Sequence, residues 1–257
     1  MSDHTSLFYN AVINRKIHEA LALLRNHGDL INVNYFDCVR WTALHNACCA
    51  GNASLVRALL SRPDVKVNLK SIQGETPFTL ACIHGRSRVV RLLLQDRRVD
   101  INSKDVNFSP LFWLACKNHL DTMRWVIASE RILDLGTPGH FETDVLGISF
   151  IRGHQEMTCL LSNFKDNPAG TRLQTKLALG LFYVLAAKLF GLVVLHCDGY
   201  LRFHPECPDK VARFLSITAQ LPMELQMVVC NRAFGSMRTM IPKKDSDAAF
   251  RVLLGRC

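Results

Sequence analysis

The sequence is poor in the short motifs that announce catalysis. Neither GxxxxGKS/T nor GxGxxG occurs, so no glycine loop is available to bring backbone N–H groups onto a phosphate chain. HExxH, GxSxG and a paired CxxC are missing too, and no Cys or His sits in a recognisable nucleophile context. These absences point away from an enzyme, and no cofactor or metal is expected. Glycine (14) and proline (9) are too scarce for a collagen-like or low-complexity chain. Basic residues are in excess, 31 Lys and Arg against 22 Asp and Glu, but no single run carries the excess. Residues 1–100 hold 13 basic and 8 acidic side chains, 101–165 hold 6 and 7, and 166–257 hold 12 and 7. Charge this diffuse reads as a solvated surface that mildly favours acidic partners, and specific nucleic-acid binding is not expected. The start, Met1-Ser2-Asp3-His4-Thr5, lacks a basic stretch followed by an apolar one, so no secretory signal is expected.

Turning to what is present, 257 residues with 49% apolar and 21% charged side chains can bury a core, as one large domain or two small ones. Most of the ten cysteines lie inside apolar helical patterns. They read as reduced core residues, which suggests a cytoplasmic chain, with the nucleus as the other compartment compatible with free thiols.

The main signal is internal repetition. The stretch Trp41-Thr42-Ala43-Leu44-His45-Asn46-Ala47 aligns with Glu75-Thr76-Pro77-Phe78-Thr79-Leu80-Ala81 at an offset of 34, and the latter aligns with Phe108-Ser109-Pro110-Leu111-Phe112-Trp113-Leu114 at 33. Each is followed by paired aliphatics: Leu55-Val56, Val89-Val90 and Val126-Ile127. A fourth copy runs from Val145 to Leu161, and a degenerate first copy from Leu7 to Leu24. A Thr or Ser cap ahead of Pro starts a helix in the clearest units. That helix ends at Gly or Asn, which accept left-handed backbone angles. A second amphipathic helix follows, then a polar turn containing Asn34, Asn68 or Asn102. No unit can bury enough surface alone, so the units must stack.

These patterns resemble the ankyrin repeat family over roughly residues 5–165, about five units. The resemblance is strongest where TALHxA and TPFTLA approach TPLHxA; Leu114 and Asp144-Val145-Leu146 depart from it, and only His45 keeps the family histidine. The fold it implies is all-α: an ankyrin-repeat solenoid of about five helix-turn-helix units over residues 1–165, with a C-terminal helical cap over 166–257. It also implies a concave face, built from hairpin tips and first helices, that binds a protein partner. On that face Trp41, Glu75 and Phe108 take the variable position, with Asn46, Leu80 and Trp113 on the first helices. Trp41, Leu80, Phe108 and Trp113 would form an apolar strip bordered by Arg40, Lys70 and Lys104. His45, Cys48 and Cys82 read as structural, with His45 joining neighbouring hairpins.

The apolar stretch 177–195 is long enough to span a bilayer, but Lys188 near its middle costs about 2.5–3.5 kcal/mol to insert. Gly180 and Gly191 interrupt it as well. It is read as a buried helix on the fifth unit, and membrane contact is not expected. His196, Cys197, His204 and Cys207 do not match a common zinc-ligand spacing, and a loop is the simpler reading. Amphipathic helices are expected near 208–220, 222–235 and 248–254. The segment Leu221-Pro222-Met223-Glu224-Leu225 with Val229 resembles the opening of an F-box, as in the poxvirus-type ankyrin proteins. That resemblance implies that Leu221, Pro222, Leu225 and Val229 contact Skp1 in a cullin ubiquitin ligase. The reading is thus a monomeric, non-enzymatic interaction module, a scaffold or an inhibitor. A substrate adaptor is the alternative.

Overall fold

The computed structural model describes residues 3–137, 144–181, 186, 189–194, 217–218, 220–221 and 223–233. The chain divides into two compact units, residues 1–175 and 176–257.

Residues 1–175 form helix pairs in chain order: α1 (Asp3–Ile13) with α2 (Ile17–His27), α3 (Ala43–Ala50) with α4 (Ala53–Leu60), α5 (Pro77–Ile83) with α6 (Ser87–Gln95), α7 (Pro110–Cys116) with α8 (Leu120–Ala128), and α9 (Val145–Ile151) with α10 (Gln155–Asp166). The first helices stack in one row, α1 on α3 on α5 on α7 on α9, and the second helices stack in another. Among the described residues there is no β-strand; one isolated bridge joins Phe36 and Thr42. This is an all-α ankyrin-type solenoid. One apolar cluster runs through it from Phe8 to Phe164.

Local chemistry explains the helix starts. Thr42, Thr76, Ser109 and Asp144 each accept a hydrogen bond from the backbone N–H three residues on, at His45, Thr79, Phe112 and Gly147. Asp144 therefore does the capping work of the Thr it replaces. Each pair then turns through a left-handed residue: Arg15, Gly51, Gly85, Asn118 and Gly153. The change of spacing from 34 to 33 is taken up in a hairpin. The turns 37–41 and 71–75 close with N–H to C=O bonds four residues apart (Asp37 to Trp41, Ser71 to Glu75), whereas Asp105 bonds Phe108, three apart.

Polar ladders hold the units together. Asn34, Asn68 and Asn102 each donate from the side-chain amide to a carbonyl of the next unit (Asp64, Arg98, Ile132) and accept an N–H from Lys66, Asp100 and Asp134 respectively, at 2.7–3.1 Å. On the outer side Arg62, Arg98 and Arg172 donate back to Gly28, Leu60 and Arg131 carbonyls.

The last described helix of the first region, α11 (Pro168–Ala178), crosses the division between the two units. It corrects the reading of 177–195 as one helix. The chain leaves α11 through Gly180, at φ +71°, with Gly180 N–H bonded to Leu177 and Leu181 N–H to Lys176. This paired-bond stop with a left-handed glycine ends the helix before it can continue. In the second unit, residues 189–194 are helical, with Phe190 and Val193 buried, and α12 (Met223–Ala233) forms over the F-box-like segment. Among the described residues no helix is long and apolar enough to cross a membrane. Residues 196–207, the part 208–216 of the helix expected at 208–220, and the helix expected at 248–254 lie outside the described residues; residues 217 and 218 are helical.

Candidate partner-binding face

The site is built on three hairpins. In the first, Asp37 Oδ1 accepts the N–H groups of Val39 and Trp41 at 3.0 and 2.8 Å, while Arg40 takes a left-handed φ of +62°. In the second, Ser71 Oγ takes the same role toward Gln73 and Glu75, both at 3.2 Å, and Gly74 occupies the left-handed position. In the third, Asp105 Oδ1 accepts from Asn107 and Phe108 at 2.9 and 2.6 Å. Neighbouring hairpin tips bond to one another through the backbone: Ile72 N–H to Val39 C=O and Val106 N–H to Gln73 C=O, both 3.2 Å. A side chain at Gly74 would meet the backbone of Asp105 and Val106 at 3.1–3.3 Å, so this close approach needs glycine.

His45 locks the second unit to the third. Its Nδ1 accepts the Thr42 N–H at 3.1 Å, so Nε2 carries the proton and donates to the Glu75 carbonyl at 3.3 Å. It is fully buried, and burial pushes its pKa down to about 4, against the opposing pull of the Glu75 and Leu69 backbone bonds. The Cys48 and Cys82 thiols are buried beside it in the array and burial raises both, so neither is a ready nucleophile.

The expected site residues fall into two groups. Trp41 is half-buried; its ring lies nearly parallel to His45, 6.5 Å away, and its carbonyl accepts from Tyr9 Oη at 2.8 Å. Asn46 donates to the same Tyr9 oxygen at 3.3 Å. Phe108 and Trp113 form the other group. Phe108 stacks on Phe112 at 4.3 Å and meets Trp113 edge-on at 5.2 Å. Trp113 is anchored by its Nε1–H to Asp105 Oδ2 at 2.7 Å, and the Lys117 ammonium sits 5.7 Å over its ring. Glu75 is half-buried, its carboxyl raised by burial against a stabilising Ser71 hydrogen bond. Arg40, Lys70 and Lys104 are exposed; Lys70 donates to the Lys104 carbonyl at 2.9 Å, and Arg40 lies 5.7 Å over the Phe36 ring.

Leu80 is a correction. Read as an exposed member of the strip, it is only 1% exposed. Its helix, α5, is flanked by α3 and α7 and backed by α6, so Pro77 through Cys82 are all buried. The apolar strip is therefore broken at its middle on the helices. A row of hairpin-tip residues continues it instead: Val39 (37% exposed), Ile72 (60%) and Val106 (72%), with Phe36 at one end. Sequence reasoning missed this row. Its visible signal was an aliphatic residue inside an otherwise polar turn, repeating at 33 and 34 residues.

On the second unit, Leu221 and Val229 are half-buried and Met223 is exposed. Gln226 is buried and donates to the Leu221 carbonyl at 2.9 Å. Pro222 and the Leu225 side chain lie outside the described residues.

Comparison with known families agrees with this architecture. A model of ankyrin repeats in many copies matches residues 24–81, and a model of three ankyrin copies matches 63–137. Neither is a catalytic family. No curated protein matches the chain. Residues 24–137 of this chain are ankyrin repeats, a class of array that generally mediates protein–protein interaction.

Proposed function

We propose that the chain is a non-enzymatic scaffold or inhibitor that captures one protein partner on the face formed by its hairpins and first helices. Trp41, Glu75, Phe108 and Trp113 carry the contact, and Arg40, Lys70 and Lys104 form its rim. The observation that carries the reading is the exposed row Val39, Ile72 and Val106 beside the anchored Phe108–Trp113 pair. Apolar side chains held on rigid backbone lose little entropy on binding, which favours recognition. A monomer in the cytoplasm or nucleus fits the free thiols of Cys38, Cys48, Cys49, Cys82 and Cys116.

The test is photocrosslinking in cells from a probe placed at Ile72, with a second probe at Arg57 on α4 as control. One dominant adduct from position 72, absent from 57 and lost with Trp113→Ala in a folded protein, supports the face. Equal adducts from both positions would sink it.

The adaptor reading is favoured by one observation: α12 begins at Met223, directly after Leu221-Pro222. Retention of co-expressed Skp1 by the wild type, and its loss in a folded Pro222→Ala/Leu225→Ala variant, would support it. No retention by a folded wild type would leave the segment a structural cap.

A further inference from the structure

The array has a second long edge, where each first helix turns into its partner. In the first unit this edge presents Arg15, in the third Arg86 and Arg88, in the fourth Lys117 and in the fifth Arg152. Among the described residues none of these five is paired with an acid. The fields of Arg15 and Arg86 overlap at Cys49, and those of Arg86 and Lys117 at His84. Burial, and then the charges of Lys117, Arg86 and His119, push His84 below its ordinary range. Burial raises the Cys49 thiol, and the Glu75 charge adds to this, while Arg86 and Arg15 pull against it. The edge also opens into a groove of about 460 Å³, walled by Val12 and Ile17 on one side and Ala47 and Leu55 on the other. Arg15 and Arg88 stand on its rim, Asn46, Asn52 and Ser54 supply polar groups, and no acidic side chain lines it.

Local stability accounts for only part of this charge. Lys117 and Arg152 are the C-caps of α7 and α9, where the helix dipole welcomes a cation. Arg86 and Arg88 are the N-cap and a first-turn residue of α6, where the dipole repels one, and that turn has no acid. Arg86 is partly explained by its bond to the Cys49 carbonyl at 3.0 Å. Arg88 is exposed without such a bond. Arg15 holds a left-handed φ of +57°, where the other units use Gly or Asn. Two cations thus sit where the fold itself disfavours their positions.

We propose that this edge, from Arg15 through Arg88 and Lys117 to Arg152, docks an extended acidic segment of a protein partner, seated at one end in the groove between the first and second units. It differs from the hairpin face, which it approaches at Lys117, whose ammonium lies over the Trp113 ring. Stacked helices lie about 8–10 Å apart, and an extended chain advances about 3.3 Å per residue, so an acid at every third position meets the cations of the third, fourth and fifth units in turn, while the turn of the second unit, Ala50-Gly51-Asn52, presents none. A broad polyanion fits less well. Glu19, Asp121 and Glu156 stand in the first turns of α2, α8 and α10, as Arg88 does in α6, so carboxylates interrupt the cations along the edge; Glu19 pairs with Lys16, while Asp121 and Glu156 share Arg124. A duplex, which presents charge on both strands, meets these carboxylates as well as the cations.

The test is fluorescence anisotropy with the full chain and a labelled peptide carrying glutamate at every third position among Ser and Gly. Saturable binding that weakens with salt is expected, and no saturable binding to the glutamine version of the peptide. The Arg88→Glu/Lys117→Glu/Arg152→Glu variant should bind about tenfold or more weakly. Arg57→Glu/Arg97→Glu, exposed and away from this edge, should bind as the wild type does. Thermal melts confirm that each variant is folded. If the triple variant is not, Arg88→Gln is read instead, with an expected weakening of about threefold. Absence of saturable wild-type binding would overturn the proposal. So would equal loss in both variants, an unchanged affinity in Arg88→Gln, or tighter binding of a duplex DNA than of the peptide.

Discussion

The two long edges of the repeat array are joined by different chemistry. At the hairpin tips, neighbouring units bond backbone to backbone, Ile72 to Val39 and Val106 to Gln73, with His45 and Lys70 adding side-chain bonds to the Glu75 and Lys104 carbonyls. At the helix-turn edge, each bond is made by a side chain reaching back to the preceding unit: Arg86 to the Cys49 carbonyl, His119 to Ile83 and His154 to Cys116, at 3.0–3.2 Å. The consequence is physical. A backbone link leaves its side chains free, so Val39, Ile72 and Val106 stand in solvent and are available for recognition. A side-chain link consumes the residue and constrains the neighbour it crosses. Gly51 lies under Arg86, and Gly85 lies under His119, where a Cβ would meet the ring at 2.5 Å. Gly153, in the last unit, has no atom within 4 Å of a built Cβ.

That contrast is broken most sharply by Gly85→Ala. The substitution forces a left-handed alanine and displaces the His119 link, at a combined cost of roughly 3 kcal/mol. Gly153→Ala carries the left-handed cost alone, about 1–2 kcal/mol. Urea denaturation of the two variants checks the difference; equal losses would mean that the His119 link contributes nothing.

The next effect is pH. His45 keeps its proton off until about pH 4 in the folded chain but takes it up near 6.5 when unfolded. Between those values the unfolded state binds more protons, so stability is full above 6.5 and falls as the pH drops toward 4. The total loss is on the order of 3 kcal/mol if His45 acts alone. Urea midpoints at pH 7.5 and 5 should differ accordingly, and His45→Asn should reduce the slope. The folded ring stays neutral through most of this window; protonating it removes the Nδ1 acceptor of the Thr42 N–H, while Nε2 can donate to the Glu75 carbonyl in either state.

Asn68→Ala removes both bonds to the following unit, to the Arg98 carbonyl and from the Asp100 N–H. Its exposure to water limits the loss to about 1 kcal/mol in denaturant titration. Ile72→Ser is expected to change stability by less than about 0.5 kcal/mol, since the side chain is exposed and its link is made by the backbone. A larger loss would show that the tips support the fold rather than being free for contact.

Much of this was legible in the residues. Thr42, Thr76 and Ser109 mark helix starts because a hydroxyl caps a first-turn backbone N–H that has no acceptor within the helix, a local event. Gly51, Gly85 and Asn118 mark the turns for the same local reason. The left-handed conformations of Arg15 and Arg40 escaped notice, since an arginine in such a turn has no sequence signature; only the neighbours of each turn hold it there. Leu80 was misplaced because its helix lies between two others, and periodicity assigns faces without counting how many are covered. The Phe108–Trp113 pair was named, but its anchor, Asp105, was not: the bond spans eight residues and depends on how the hairpin folds back over α7.

The sequence by itself determined the repeat period, the helix pairs and their caps, because each depends on interactions within a few residues. Tertiary structure decided which aliphatic residues remain in solvent, which cations meet along one edge, and where the hairpin face is continuous. Those properties arise from stacking one unit on the next, and residues about 34 positions apart become neighbours only when the stack forms.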